Sequence, residues 1–284
     1  MKAYHEKIAI PFVLPGKVYL AGAGPGSAKL LTLRALEVLR IADVVFHDDL
    51  VSSDVIDVVP SRTAVHNVGK RCGFKKTTQD EIHRRMISAA RSGQTVVRLK
   101  GGDPLIFGRS GEEIRALRQA GIEFEIVPGV TAATAAAAAA EITLTDRRHS
   151  SRLILASNHR CAERTDRSWS QSVASDATLV FYMPGRDFAP LCAELTAGGL
   201  AEDTPCLLVS QATRPEQSVV RTSLKELPTL PSLAAPAILM IGAAVAEANV
   251  SELVRDANFS ETLRVFQETE TTIALDEPNE MSVL

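Results

Sequence analysis

The sequence predicts an α/β fold made of two α/β domains, and three observations carry that prediction. Short apolar runs alternate with amphipathic helical stretches from Lys17 onward. Glycine-containing turns stand where apolar runs give way to helices, at Gly22–Gly26, Gly101–Gly102 and Pro128–Gly129. A second strand-rich series begins after a polar break at Arg147–Ser150. Strands that alternate with helices need crossover connections, so the N-terminal sheet is expected to be mainly parallel and covered on both faces.

The elements follow in order. Lys17 to Gly22 is a short apolar strand, and Ser27 is placed to cap a helix whose Leu30, Leu31, Leu33, Ala35, Leu36, Val38 and Leu39 make a broad apolar face. Ala42 to Phe46 is the next strand, which completes a βαβ unit. The spacing then gives a helix over Gln79 to Ser92, a strand over Thr95 to Leu99, a helix over Gly111 to Ala120, a strand over Glu123 to Val127 and an alanine-rich helix over Thr131 to Ala140. The second series has strands at Leu153 to Ala156, Thr178 to Tyr182, Pro205 to Ser210 and Ala237 to Gly242, with a helix at Asp187 to Ala197. These elements divide the chain into an N-terminal extension (1–16), a first domain (17–142), a second domain (150–248) and a polar tail (249–284). The weak periodicity and acidic end of the tail read as partial disorder.

The composition sets limits on function. With 284 residues, 45% hydrophobic and 23% charged, the chain can bury a sizeable core. A formal charge of −3 gives no global field to recruit nucleic acid or an anionic membrane. The apolar patch Ile8 to Leu14 is broken by Pro11 and too short to span a bilayer. Cys72, Cys161, Cys192 and Cys206 form no CxxC pair and have no zinc-like histidine spacing, so reduced thiols in a cytoplasm are the expectation.

Any anionic ligand must therefore be caught by local cations, and two segments supply them. Val97 to Arg109 is an apolar run that breaks into Gly101-Gly102-Asp103-Pro104, bracketed by Lys100 and Arg109. Paired glycines let backbone approach a ligand closely, Pro104 fixes the exit and Asp103 supplies a carboxylate. Val68 to Lys76 holds Lys70, Arg71, Lys75 and Lys76 in a loop with two glycines, which suits a polycarboxylate or phosphate as well as a plain solvated loop. His47-Asp48-Asp49 ends an apolar strand, where the crevice of an open α/β sheet lies. One of these carboxylates is a candidate base, a turn aspartate is the alternative, and no third ligand at recognisable spacing supports a metal. Gly22 to Gly26 stands where a dinucleotide fingerprint would, with Asp48 as the ribose acid. Its spacing is GxGxG, however, and Pro25 removes a backbone donor. Thr131 offers a hydroxyl and free amides at a helix start. Met183 after Phe181-Tyr182 is either a core side chain or a packing surface for a flat or thioether-bearing ligand.

Taken in order, these segments resemble the uroporphyrinogen-III C-methyltransferases of the tetrapyrrole (corrin/porphyrin) methylase family. The likeness rests on GAGPG (22–26), LLTLRAL (30–36), Asp48 of a DxLVS segment, VGKRCG (68–73), VVRLKGGDPLIFGR (96–109), GEE (111–113), PGVTAA (128–133), FYM (181–183) and APA (235–237). The resemblance implies two α/β domains, the second with a mixed sheet, and a ligand cleft between them. It implies a homodimer that binds S-adenosylmethionine and releases S-adenosylhomocysteine. The implied substrate is uroporphyrinogen III, methylated at C-2 and C-7 to precorrin-2 by way of precorrin-1, on the route to sirohaem or cobalamin. By position, the base falls on Asp48 and the proton donor on Lys70. Cofactor contacts fall on Pro25, Gly101, Gly102, Asp103, Ile106, Thr131, Ala132, Met183 and Ala212. The chain departs from the family pattern at Ser27, Asp49, Asp146, Ser157-Asn158 and Ala212, and Asp49 reverses a charge near the expected substrate. The alternatives are a methylase of a later precorrin, an NAD(P)-dependent oxidoreductase using Gly22 to Gly26, and a binding protein without turnover.

Overall fold

A computed structural model describes residues 16–69, 77–158, 169–174 and 176–248. Lys70 and the other loop cations to Lys76, Cys72, His159, Cys161, the first fifteen residues and the tail from 249 lie outside the described residues.

Two five-stranded sheets organise the chain. The first contains β1 (Val18–Gly22), β2 (Val44–His47), β3 (Ala64–Asn67), β4 (Val96–Lys100) and β5 (Phe124–Val127) in the order β3-β2-β4-β1-β5, and every pair is parallel. The second contains β6 (Arg152–Ser157), β7 (Ala177–Tyr182), β8 (Pro205–Ser210), β9 (Ser218–Ser223) and β10 (Ala237–Ile241) in the order β6-β7-β10-β8-β9. Only β6 and β7 run parallel there, so this sheet is mixed.

Helices cover the first sheet as the crossover argument requires. On one face α1 (Leu33–Ile41) and α2 (Ser53–Ile56) bury Ala35, Val38, Leu39 and Val55 against Tyr19, Ala21, Val45, Val97 and Leu99. On the other, α3 (Gln79–Arg91) and α4 (Ser110–Gln119) bury Ile82, Met86, Ala90 and Leu117 against Val18, Leu20, Val44, Phe46 and Val96. Each large apolar side chain removed from water in this way contributes roughly 1.5–3 kcal/mol.

The cap at Ser27 differs from the expectation. Ser27 accepts from the Lys29 amide and caps only a 3-10 turn, Ala28–Leu30. The helix proper starts at Leu33, where Thr32 Oγ1 accepts from Ala35 N at 3.1 Å, and Leu33 is 81% exposed. A second serine or threonine four to five residues on competes for the same role, and periodicity alone does not choose between them.

The alanine-rich α5 (Ala132–Ala139) packs on the second sheet. Ala133, Ala136, Ala137 and Ala140 meet Val180, Tyr182, Leu207, Val209, Ile238 and Met240. The opposite face of that sheet holds Leu179, Phe181, Leu208, Leu239 and Ile241 under α6 (Ala189–Ala197) and the 3-10 turn Leu227–Thr229. Cys192 and Cys206 are buried free thiols in this layer. All described residues fall in one compact unit.

Candidate active site

The candidate site forms at the strand C-termini of the first sheet, at its switch point. Adjacent strands β1 and β4 send their next helices to opposite faces, α1 to one and α4 to the other, and a crevice opens between the two departing loops. Those loops are tied together: Gly102 N donates to Gly24 O at 2.7 Å and Gly24 N to Gly102 O at 3.2 Å, while Ala23 N donates to Lys100 O at 2.7 Å. The approach leaves no room for side chains. A Cβ on Gly129 would stand 2.4 Å from Gly102 O, and one on Gly22 would stand 2.6 Å from Gly129 Cα.

This arrangement removes the dinucleotide reading of Gly22 to Gly26. The Gly24 amide is already bonded, Pro25 is buried and offers no donor, and the first α-helix opens only at Leu33. Among the described residues no α-helix starts directly from the glycine loop, which is what a pyrophosphate cradle needs.

Asp103 locks the turn to its neighbour. Its Oδ1 accepts from Leu105 N at 2.7 Å and its Oδ2 from Gly129 N at 3.0 Å. Each oxygen keeps a second acceptor site. Gly102 has φ +69°, and a Cβ placed there would face Ala132 N and Thr131 Cα at 3.7 and 3.9 Å. The open side of the glycine turn therefore looks at the start of α5.

From α5 the contacts pass to the second sheet. The Tyr182 hydroxyl lies 2.6 Å from Thr131 Oγ1 and accepts from Ala133 N at 3.3 Å, so a side chain at the end of β7 satisfies the first turn of α5. Burial pushes the Tyr182 phenol above its ordinary range. Phe107 packs on its ring at 5.0 Å, and Ile106, Ala132 and Ala212 share one apolar cluster. Met183 follows, 49% exposed. Across from Gly26, Thr213 Oγ1 accepts from Ser27 N at 3.1 Å and Arg214 Nη2 donates to Leu50 O at 2.5 Å.

Strain collects around these loops. Phe107, Arg109, Met183, Gln211 and Thr213 hold φ between +49° and +67°, in the left-handed region that side chains disfavour. Residues held this way persist where surrounding structure fixes them and concentrate at ligand sites. Nothing in the residue types signals them, because each is a side-chain-bearing residue where a glycine would have advertised the conformation.

Asp48 ends β2 beside a buried cluster of charges. Arg98 donates from Nη2 to Asp48 Oδ1, from Nε to Glu113 Oε1 at 3.0 Å, and from Nη1 to Phe46 O and Leu99 O, each at 3.2 Å. Lys100 Nζ lies 3.1 and 3.0 Å from the two oxygens of Glu113. Burial opposes the Arg98 charge, but Asp48 and Glu113 outweigh it and hold the guanidinium above its usual range. For Lys100 burial wins, helped by the Arg98 charge, and the ammonium is pushed down. The cations that bracket the glycine turn are thus not both ligand-facing: Lys100 is neutralised inside, and Arg109 pairs with Glu112 at 2.7 Å.

Asp49 turns away from Asp48. Its Oδ1 accepts from Asn67 Nδ2 at 2.8 Å, and the Gly69 backbone presses against it. Its charge pins the end of β3, and the two aspartates do not converge. Asp146 likewise serves a surface turn, bonded to Arg148 and Ser150, and Arg148 holds its carboxyl down to about 2. Among the described residues no three His, Cys, Asp or Glu side chains gather as a metal site. Two surface depressions, of about 600 and 340 Å³, lie around the C-terminal end of α3, and no residue of the glycine turns lines either.

Of the residues singled out from sequence, Pro25, Gly101, Gly102, Asp103, Ile106, Thr131, Ala132, Met183 and Ala212 fall on this continuous set of loops and strand ends. Asp48 sits at the adjoining strand end. Tyr182, Arg98, Glu113, Thr213 and Arg214 were not singled out, and the pairing of buried Arg98 with a glutamate fifteen residues on is a tertiary contact without a local signature.

Fold and site together define an α/β protein with a ligand crevice at the switch point of a parallel sheet, completed by strand ends of a mixed sheet. The family model of Tetrapyrrole (Corrin/Porphyrin) Methylases matches residues 17–228, and the chain belongs to that family. It is 42% identical over 245 residues to a sirohaem synthase of Klebsiella pneumoniae, covering 86% of this chain and 52% of that protein. Its identity to a sirohaem synthase of Photorhabdus laumondii is 45% over 231 residues, covering 81% and 49%. The chain spans about half the length of the curated relatives it matches. Among solved structures, uroporphyrin-III C-methyltransferase from Thermus thermophilus complexed with S-adenosylhomocysteine superposes with TM-score 0.70 at 36% identity, over 81% of this chain and 99% of that one. A cobalt precorrin-4 methyltransferase superposes with TM-score 0.71 at 32% identity, over 81% and 95%.

Proposed function

We propose that this chain is an S-adenosylmethionine-dependent C-methyltransferase that methylates uroporphyrinogen III at C-2 and C-7, giving precorrin-2 by way of precorrin-1. The observation that carries the reading is the backbone cradle in which Gly102, locked to Gly24, opens toward the start of α5 beside exposed Met183. Amides, a carboxylate and apolar side chains together fit an amphipathic cofactor. Pro25, Gly101, Gly102, Asp103, Ile106, Thr131, Ala132, Met183 and Ala212 would hold it. Bound there, S-adenosylmethionine supplies an electrophilic methyl group.

The protein's share is positioning and proton handling. A substituted pyrrole carbon is already electron-rich, so orientation of the macrocycle matters more than activation. Asp48, at the crevice edge with its carboxylate bonded to Arg98, takes up the proton the ring loses. Lys70, outside the described residues, returns a proton, and the cations from Lys70 to Lys76 hold the carboxylate rim of the substrate. The reading includes a cytoplasmic homodimer, and a division into domains 17–142 and 150–248 that share the crevice.

Anaerobic incubation with uroporphyrinogen III and S-adenosylmethionine, followed by mass spectrometry, tests the proposal. The expected product carries two added methyl groups. No methylation of this substrate, with methylation of a later precorrin instead, would overturn the specificity, and bound cofactor with no turnover on either would mark a binding protein.

A further inference from the structure

Strand β4 is buried along its whole length although two of its five residues are cations. Arg98 and Lys100, two apart, share the face toward α3 and α4. Glu113, in the first turn of α4 and fully buried, lies against both and also accepts from Gln79 Nε2 at 3.3 Å. With Asp48 the four charges sum to zero. The Asp48 side chain is 28% exposed, against 3% for Arg98 and for Lys100 and none for Glu113. Apolar residues of the same volume would be easier to bury than this cluster. Its one accessible member is the carboxylate at the crevice.

We propose that Glu113 is a positioning residue that fixes Asp48 through Arg98. The inference rests on the reading of Asp48 as the proton-accepting group. Arg98 has donors on two edges. Glu113 holds Nε and the carbonyls of Phe46 and Leu99 hold Nη1, so the plane of the guanidinium is fixed and Nη2 is left aimed at Asp48 Oδ1. Lys100 also holds Glu113, with Nζ 3.1 and 3.0 Å from its two oxygens, so that Glu113 does not draw Arg98 wholly to α4 and away from β2. Without Glu113, Arg98 and Lys100 face each other as like charges, Arg98 shifts, and Asp48 loses the geometry it needs.

The test uses the full chain with S-adenosylmethionine and uroporphyrinogen III. Glu113→Gln is expected to lower kcat roughly 100-fold, the scale of a misplacement of about 1 Å. KM and the Kd for S-adenosylhomocysteine should stay within about twofold, because that interaction acts on the reacting geometry alone. The double variant Asp48→Asn/Glu113→Gln should be no slower than Asp48→Asn, since the two act as one unit. If Glu113→Gln does not fold, Lys100→Met/Glu113→Gln removes one charge of each sign and is expected to show the same kcat loss. Unchanged kcat, or losses that multiply in the double variant, would overturn the proposal. Asp48→Asn with wild-type turnover would instead bring down the role of Asp48 itself, and the positioning role with it.

Discussion

Gly129 and Gly121 show how differently two glycines constrain one chain. At Gly129 a methyl group would meet Gly102 O at 2.4 Å and Gly22 Cα at 2.8 Å, both backbone atoms that cannot swing aside. At Gly121 nothing lies within 4 Å, and only its φ of +66° resists a side chain. Gly129→Ala should cost about 3 kcal/mol, the upper range for overpacking, and Gly121→Ala about 1 kcal/mol, the lower range of the left-handed penalty. Urea unfolding with unchanged slope measures both, and equal midpoint shifts would contradict the packing described. At this scale the sequence was partly legible. Gly101-Gly102 signalled close backbone approach, and Asp48 stood at a strand end as expected. Asp103 signalled a carboxylate, but not that two backbone amides of the protein would take it. Lys100 and Arg109 suggested ligand-facing charge, but Glu113 turns Lys100 inward and Glu112 pairs with Arg109.

Among the elements, β5 shows what an ion pair adds to a sheet edge. Glu125 on β5 accepts from Arg34 on α1 at 2.8 and 3.0 Å and meets Lys17 at 3.2 Å, so one carboxylate joins strand, helix and chain entry. The bond from Arg34 outweighs the opposing effect of burial and, with the bond from Lys17, holds Glu125 down to about 2, from an ordinary value of 4.5. A carboxylate depressed in the folded state contributes stability above its unfolded value and loses it as pH falls through the folded one. Glu125→Gln should therefore flatten the dependence of stability on pH between about 4.5 and 2, and leave its shape above pH 5 unaltered. An unchanged slope in acid titrations followed by circular dichroism would show that the pair contributes nothing. The strands with an apolar signal were legible from sequence, while β3 and β9 were not. Both lie at sheet edges, β3 is exposed at all four positions, and an edge strand without a buried face carries no periodicity to read.

In the whole molecule, the two sheets meet through one helix, the apolar contacts of Ile106 and Phe107, and a few polar ties. α5 follows the first sheet in sequence yet buries its alanines on the second, an assignment that small side chains permit on either and that composition alone leaves undecided. Tyr182 holds its first turn, while Thr213 and Arg214 reach back to Ser27 and Leu50 from the far side of the crevice. Arg214 lies against Gly26, where burial pushes its guanidinium below the ordinary range, and its Nη2 still satisfies a carbonyl of the other half. Cutting this tie should affect ligand capture more than folding, because the core clusters on either sheet do not include it. Arg214→Ala is expected to weaken S-adenosylhomocysteine binding about tenfold, or about 1.4 kcal/mol, while unliganded stability falls by less than about 1 kcal/mol. Calorimetry and denaturant unfolding on the same preparation separate the two effects. Equal losses in both would mean that Arg214 supports the fold as a whole, and unchanged affinity would mean that the loops hold their places without it.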